Sequence, residues 1–183
     1  MIKSLFRFIF CTLMGWKTKG NAPKEIKKYI IIVAPHTSNW DFIIGILARP
    51  LLEINHVKFI GKSQLFKPPY GWIFRKLGGY PVDRTKSNNL VEAVVNIYNE
   101  KEEFAIAIAP EGTRKYVGKL KTGFYHIAIG AKIPIVTAGF DFPTKTVIVN
   151  SPFYPTGNLD SDMLEIMDQF KEIRGKHPEK GII

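Results

Sequence analysis

Three short runs of consecutive apolar residues constrain the fold more than any other feature of this sequence. They occupy residues 30–33, 104–109 and 133–136, and they are continuous rather than alternating. Strands that are apolar on both faces are typical of a parallel sheet covered by helices on both sides. Segments with helical spacing of apolar residues, such as residues 88–100, lie between the runs. The sequence therefore predicts an α/β fold, a single domain with a mostly parallel, twisted sheet flanked by helices.

Length and cysteine content are consistent with an ordinary globular domain. The chain has 183 residues, which is typical of one domain. The single cysteine, Cys11, excludes an internal disulfide and a cysteine-based zinc site, and it favours a reducing compartment. No apolar run reaches about 18 residues, so the sequence predicts no full transmembrane helix.

The charge balance indicates an anionic partner. The chain carries 26 basic and 16 acidic residues, a net charge of +10. Such an excess favours phospholipid surfaces, nucleic acid or phosphorylated small molecules. Residues 58–86 hold seven basic residues and one acidic residue, interleaved with aromatic side chains. This mixture is typical of a membrane-interface surface, and it also suits single-stranded nucleic acid.

The first 19 residues form a separate apolar and aromatic segment. Basic residues flank and interrupt it at Lys3, Arg7, Lys17 and Lys19. The segment is too short to span a bilayer, so we predict a helix of residues 1–19 that lies in the membrane interface, followed by one domain of residues 20–183. The alternative is a helix packed on its own domain.

A turn that contains candidate catalytic residues follows the first apolar run. His36 and Asp41 lie between a predicted strand at residues 29–33 and a predicted helix at residues 42–52. Ligands and chemistry gather beyond the carboxyl ends of parallel strands. A carboxylate bonded to one imidazole nitrogen fixes the tautomer that a histidine needs to act as a base. Ser38 or Asn39 is expected to cap the helix. The alternative is a helix-start carboxylate beside a polar turn residue.

A second turn follows the run at residues 104–109. It contains Glu111, Gly112, Thr113 and Arg114. Glycine permits close approach of a ligand to the backbone, and the arginine fork suits a phosphate group. Glu111 is a candidate partner for a substrate hydroxyl. The alternative is a strand-ending turn with a surface arginine.

Taken together, these turns resemble the glycerolipid acyltransferase family, which includes the lysophosphatidate acyltransferases. The resemblance extends over residues 29–140 and rests on four blocks in the family's order. These are His36 and Asp41 separated by four residues, Gly78 followed six residues later by Arg84, the turn of residues 109–114, and Pro134 in an apolar strand. A Lys-x-Gly element, residues 121–123, lies between the last two blocks.

The resemblance implies a function, a site and partners. It implies transfer of a fatty acyl group from a thioester, acyl-CoA or acyl-carrier protein, to the hydroxyl of a lysophospholipid, first of all 1-acyl-glycerol-3-phosphate. His36 would be the general base and Asp41 its orienting carboxylate. Glu111, Gly112, Thr113 and Arg114 would position the acceptor, and Arg84 would add a phosphate contact. The resemblance implies neither a cofactor nor a metal. The basic charge and the N-terminal segment predict a peripheral protein on an anionic membrane surface, at its cytoplasmic face.

Three alternatives remain open from the residues. The acceptor could be glycerol-3-phosphate, another lysophospholipid or a lyso-aminolipid. The same base could serve a hydrolase or a transacylase. A basic protein that binds lipid or nucleic acid without catalysis would explain the charge but not the two turns, so no nucleic-acid partner is expected.

Overall fold

A seven-stranded sheet is the centre of the protein. The computed structural model describes residues 2–82 and 90–181. The sheet has the order β1-β7-β6-β2-β5-β3-β4, and every adjacent pair is parallel except β6 and β7. The strands are β1 (Lys17–Lys19), β2 (Lys28–Val33), β3 (Lys58–Lys62), β4 (Gly79–Val82), β5 (Phe104–Ile108), β6 (Ile135–Asp141) and β7 (Thr146–Val149). The predicted α/β class and mostly parallel sheet are confirmed.

Helices lie between several of the strands, and others precede β1 and follow β7. They are α1 (Ile2–Arg7), α2 (Trp40–Ala48), α3 (Gly71–Lys76), α4 (Leu90–Glu100), α5 (Gly123–Ala131) and α6 (Leu159–Asp168). A π-helical turn, Phe8–Leu13, continues α1, and 3₁₀ turns cover Ser63–Phe66 and Pro178–Lys180. Within the described residues, no helix is long and apolar enough to cross a membrane.

The core lies on both faces of the sheet because β2 is apolar throughout. Ile30 and Ile32 are fully buried in a cluster that includes residues of α4, α5 and α6. Tyr29 and Ile31 belong to the opposite cluster, with residues of α2 and the N-terminal segment. Successive side chains of a strand point to opposite faces. Strand β2 is therefore packed on both faces, and the turn that follows it starts from a rigid position.

The N-terminal segment differs from the prediction. Helical structure ends at Leu13, and Lys17–Lys19 form an edge strand paired with β7, so a helix through residue 19 is wrong. Phe10 and Trp16 are buried in the core, whereas Leu5, Phe8 and Leu13 are exposed. One side of the segment thus packs on the domain, and the other side is free to contact a partner.

Helix α6 is also shorter than its apolar periodicity predicts. We expect a helix over residues 159–173 from the sequence, but α6 ends at Asp168. Phe170 and Ile173 remain buried, in a turn whose backbone bonds run from Phe170 to Met167 and from Ile173 to Phe170. Their burial explains why the apolar pattern continues beyond the helix.

Candidate active site

His36 and Asp41 form a close pair at the carboxyl end of β2. The distance between His36 Nδ1 and Asp41 Oδ2 is 3.0 Å. The Asp41 side chain is 1% exposed and the His36 side chain is 20% exposed. The pairing predicted from the sequence is therefore present. Because Asp41 occupies Nδ1, the other ring nitrogen, Nε2, is the one that can accept a proton from a substrate.

Local sequence explains why Asp41 turns back toward His36. The backbone N–H of Ser38 donates to Asp41 Oδ2 at 2.9 Å, and the N–H of Trp40 donates to Ser38 Oγ at 3.2 Å. This reciprocal arrangement resembles a capping box at the start of α2. Ser38 rather than Asn39 provides the side-chain cap. The same Asp41 oxygen thus holds both the turn and the imidazole.

Glu111 has a contact that the sequence did not predict. Its side chain is almost completely buried, and Oε1 accepts a hydrogen bond of 2.9 Å from the backbone N–H of His36. Burial raises the pKa of the Glu111 carboxyl, and nearby Asp41 adds a smaller contribution in the same direction. Its Oε2 has no hydrogen-bond partner within the part of the chain that the structure describes. Glu111 therefore anchors the histidine turn, and its predicted contact with a substrate hydroxyl stays a prediction.

The contact between Glu111 and His36 exists because β2 and β5 are neighbours. The two strands pair in parallel from Lys28 with Phe104 to Ile32 with Ile108. Their carboxyl ends, and the turns that follow them, therefore meet at the same edge of the sheet. Adjacent parallel strands ending in polar turns are the signal that would have indicated this contact from sequence.

Gly112, Thr113 and Arg114 are exposed beside this buried framework. Gly112 has a φ of 69°, a left-handed conformation that favours glycine. A Cβ at this position would lie 2.9 Å from Lys121 Nζ, so glycine also lets the lysine of the Lys-x-Gly element pack on the turn. The N–H of Lys121 donates to Pro110 O at 3.0 Å. The turn thus presents exposed cations next to buried carboxylates.

The second block is only partly described. Gly78 precedes β4 with a φ of 90°, and a Cβ there would lie 2.9 Å from an Arg49 guanidinium nitrogen. Arg49 in turn donates to the carbonyls of Asn55 and Val57 at 2.6 and 2.7 Å. Arg84 lies outside the described residues, so its phosphate contact stays a prediction.

A groove with apolar walls opens next to the histidine turn. Its volume is about 410 Å³, and its lining includes Leu13 and Trp16 from the N-terminal segment, Trp40 and Ile44 from α2, and Lys176. Among the described residues, no group of three or more His, Cys, Asp or Glu side chains is arranged to hold a metal ion. The site as a whole offers a candidate base, exposed cations and an apolar recess.

Comparison with known proteins finds a matching family model and several relatives that carry the same name. The model of a family described as Acyltransferase matches residues 16–141. A 1-acyl-sn-glycerol-3-phosphate acyltransferase from Saccharomyces cerevisiae is 33% identical over 171 residues, which cover 88% of this chain and 54% of that protein. One of the same name from Salmonella typhimurium is 31% identical over 134 residues, which cover 68% of this chain and 52% of that protein. This chain spans about half the length of these curated relatives.

A solved structure has a similar fold. The crystal structure of the 1-acyl-sn-glycerophosphate (LPA) acyltransferase PlsC from Thermotoga maritima matches with a TM-score of 0.58 at 20% identity, covering 92% of this chain and 74% of that chain. The family match includes β2, the His36 turn, β5 and the Glu111 turn. On the extent of that match, this chain belongs to the acyltransferase family.

Proposed function

We propose that this protein transfers a fatty acyl group from a thioester to the hydroxyl of a lysophospholipid, with 1-acyl-glycerol-3-phosphate as the preferred acceptor and phosphatidate as the product. The observation that carries the proposal is the pair of His36 Nδ1 and Asp41 Oδ2 at 3.0 Å, with the Glu111 turn on the adjacent strand end. The relatives named 1-acyl-sn-glycerol-3-phosphate acyltransferase support the choice of acceptor.

The proposed reaction needs one base and no covalent enzyme intermediate. His36 Nε2 takes the proton of the acceptor hydroxyl while that oxygen attacks the thioester carbonyl carbon. Asp41 holds the imidazole in orientation and stabilises the imidazolium that forms. When the tetrahedral intermediate collapses, the carbon–sulfur bond breaks and the thiolate takes the proton from His36. The products are the new ester and the free thiol of coenzyme A or of the carrier protein.

The exposed cations suit the acceptor phosphate, and the groove suits a hydrocarbon chain. Arg114 lies three residues after Glu111 and is exposed, so its planar fork can bind phosphate at two points. The backbone of Gly112 and Thr113 would lie beside the same phosphate. Arg84 is the second arginine that we propose to contact it. The groove beside Trp40 offers an apolar surface for a fatty acyl chain. The proposal uses no metal and no cofactor.

Mass spectrometry of products tests the proposed function. The protein is incubated with oleoyl-CoA and an equimolar panel of lysophosphatidate, lysophosphatidylcholine, monoacylglycerol and glycerol-3-phosphate. We expect phosphatidate as the main product. Free fatty acid as the only product would identify a hydrolase, and acylation of another panel member in preference would identify a different acceptor. Either result would contradict the proposal.

Arg114→Ala is expected to raise the KM for lysophosphatidate about 10- to 100-fold, because a hydrogen bond to a charged group contributes about 1.5–3 kcal/mol. The KM for the thioester should change little. Lys27→Ala is the matched control, because it removes the same charge from an exposed side chain that directly precedes β2, at the opposite end of the sheet. An equal effect of both variants on the acceptor KM would show that Arg114 acts only through net charge.

We also propose that the protein binds an anionic membrane surface as a peripheral protein, on the cytoplasmic face. Leu5, Phe8 and Leu13 expose apolar side chains next to Lys3 and Arg7. Leu13 and Trp40 line the same groove, so this segment and the first residue of α2 share an apolar recess. Tyr70 and Trp72 are exposed on a second surface, in the segment between β3 and β4. Aromatic and basic side chains together favour the lipid interface.

The triple variant Leu5→Ser, Phe8→Ser and Leu13→Ser is expected to weaken binding to phosphatidylglycerol vesicles at least tenfold, because each apolar side chain buried in lipid contributes about 1.5–3 kcal/mol. Cosedimentation measures the binding. Substitution of these exposed positions is a sharper test than deletion of residues 1–19, since that deletion would also remove buried Phe10 and Trp16. Leu164→Ser, at an exposed leucine of α6, is the control. Unchanged binding of the triple variant would transfer the role to the surface around Tyr70 and Trp72.

A further inference from the structure

The segment Arg174 to His177 crosses the catalytic turn from outside the region that defines the family. The family match ends at residue 141, and this segment follows α6 near the end of the chain. It nevertheless contacts the turn between β2 and α2 through three consecutive residues, Gly175, Lys176 and His177. We refer to Arg174–His177 as the crossing segment.

The crossing segment is anchored firmly at its first residue. The N–H of Arg174 donates to Asp141 Oδ1 at 3.0 Å, and the N–H of Phe142 donates to Arg174 O at 3.0 Å. Asp141 is 5% exposed, and Ile173, just before the segment, is 2% exposed. Because Asp141 ends β6 and β6 pairs with β2, the anchor lies on the strand next to the catalytic turn.

Gly175 packs against the turn with no space for a side chain. A Cβ at Gly175 would lie 2.6 Å from Thr37 Oγ1 and 3.3 Å from Pro35 Cγ. Thr37 is 3% exposed, and its Oγ1 accepts a hydrogen bond of 3.2 Å from the backbone N–H of His177. Thr37 directly follows His36, so the crossing segment holds the backbone that carries the proposed base.

Lys176 makes the remaining contact, on the first residue of α2. Its Nζ lies 5.0 Å from the centre of the Trp40 ring, a distance at which a cation is attracted to the aromatic face. Trp40 directly precedes Asp41. The crossing segment therefore contacts Thr37 and Trp40, the residues next to His36 and Asp41 in the chain.

We propose that the crossing segment is a positioning element of the active site, in which Gly175, Lys176 and His177 hold Thr37 and Trp40 so that His36 Nδ1 stays bonded to Asp41. Its effect on turnover rests on the proposed transfer reaction, whereas its effect on the histidine does not. Small displacements of a catalytic group lower the rate steeply, because catalysis depends on alignment with the reacting atoms.

Two substitutions disturb the contact from opposite sides. Gly175→Ala places a methyl group against Thr37, and Thr37→Val removes the hydroxyl that accepts from His177 while preserving shape. Each is expected to lower kcat about tenfold or more with KM values nearly unchanged. Thr37→Ser keeps the acceptor and should retain most of the kcat. Gly118→Ala is the matched control, since nothing lies within 4 Å of a Cβ at Gly118.

A tautomer measurement separates positioning from loss of stability. Long-range ¹⁵N–¹H NMR of the imidazole ring shows which His36 nitrogen carries the proton. We expect the Nδ1–H form in the wild type and in Gly118→Ala, and a mixture of tautomers in Gly175→Ala and Thr37→Val. If the two variants keep the wild-type tautomer and a kcat within twofold of Gly118→Ala, the proposal is overturned. A lower kcat with an unchanged tautomer and a lower Tm would also overturn it.

A third variant covers the case in which the buried substitutions prevent folding. Lys176→Gln changes an exposed side chain and is expected to lower kcat about two- to fivefold, the effect of one exposed cation–π contact. If the wild type transfers no acyl group, the proposed function fails, but the tautomer comparison still decides whether the crossing segment positions His36.

Discussion

His36→Ala is expected to lower kcat for acyl transfer by about 10²- to 10⁴-fold, the usual contribution of a general base. The acceptor hydroxyl would then have to lose its proton to water, because no positioned base would remain beside the reacting oxygen. KM values should change little, because the proposed phosphate contacts come from the Glu111 turn and Arg84. A radiolabelled or mass-resolved assay of phosphatidate formation at saturating substrate measures the effect.

The fold should survive this substitution. The His36 side chain is partly exposed, and its polar contact is with Asp41. His126→Ala is the control, because His126 is an exposed histidine on α5. If His36→Ala retains turnover comparable to His126→Ala, another group is the base and the proposed mechanism is wrong.

Glu111→Ala is expected to be the second most damaging change, with a loss of about 10²-fold in kcat from misplacement of the base. The substitution removes the acceptor of the His36 backbone N–H and leaves that donor without its partner, which costs about 1–3 kcal/mol of stability. Glu111→Gln keeps an oxygen acceptor at the same position. We therefore expect Glu111→Gln to retain much more activity than Glu111→Ala.

The raised pKa of Glu111 adds a pH signature. A carboxyl whose pKa is higher in the native state binds its proton more tightly there than in the unfolded chain. The free energy of unfolding should therefore gain a favourable contribution as pH falls through the native pKa, and this gain should stop near the unfolded value of about 4.3. Above the native pKa the contribution is absent. Glu111→Gln should remove this component of the stability profile, measured by urea unfolding between pH 4 and 8.

An unchanged pH profile in Glu111→Gln would show that the carboxyl is not perturbed by its burial. Equal kcat values for Glu111→Ala and the wild type would show that the turn keeps its shape without the hydrogen bond to His36. The second result would remove Glu111 as the anchor of the histidine turn and would leave the acceptor-binding role predicted from the sequence.

Sequence alone was sufficient for the fold class and for the pairing of His36 with Asp41. Continuous apolar runs at residues 30–33 and 104–109 predict buried parallel strands because such strands are covered on both faces. The spacing of His36 and Asp41 predicts their pairing, since a carboxylate in the first helical turn points back to the preceding turn. Both inferences use information within a few residues of the chain, where periodicity and capping act.

Only the tertiary structure decided what surrounds the pair. The partner of Glu111 is the backbone N–H of His36, which lies 75 residues away in sequence. The two residues meet because β5 pairs with β2. Likewise, β1 joins the far edge of the sheet beside β7, and His177 reaches Thr37 from 140 residues along the chain. Such contacts depend on strand order and on the path of the chain ends, and no local pattern of apolar or charged residues specifies either.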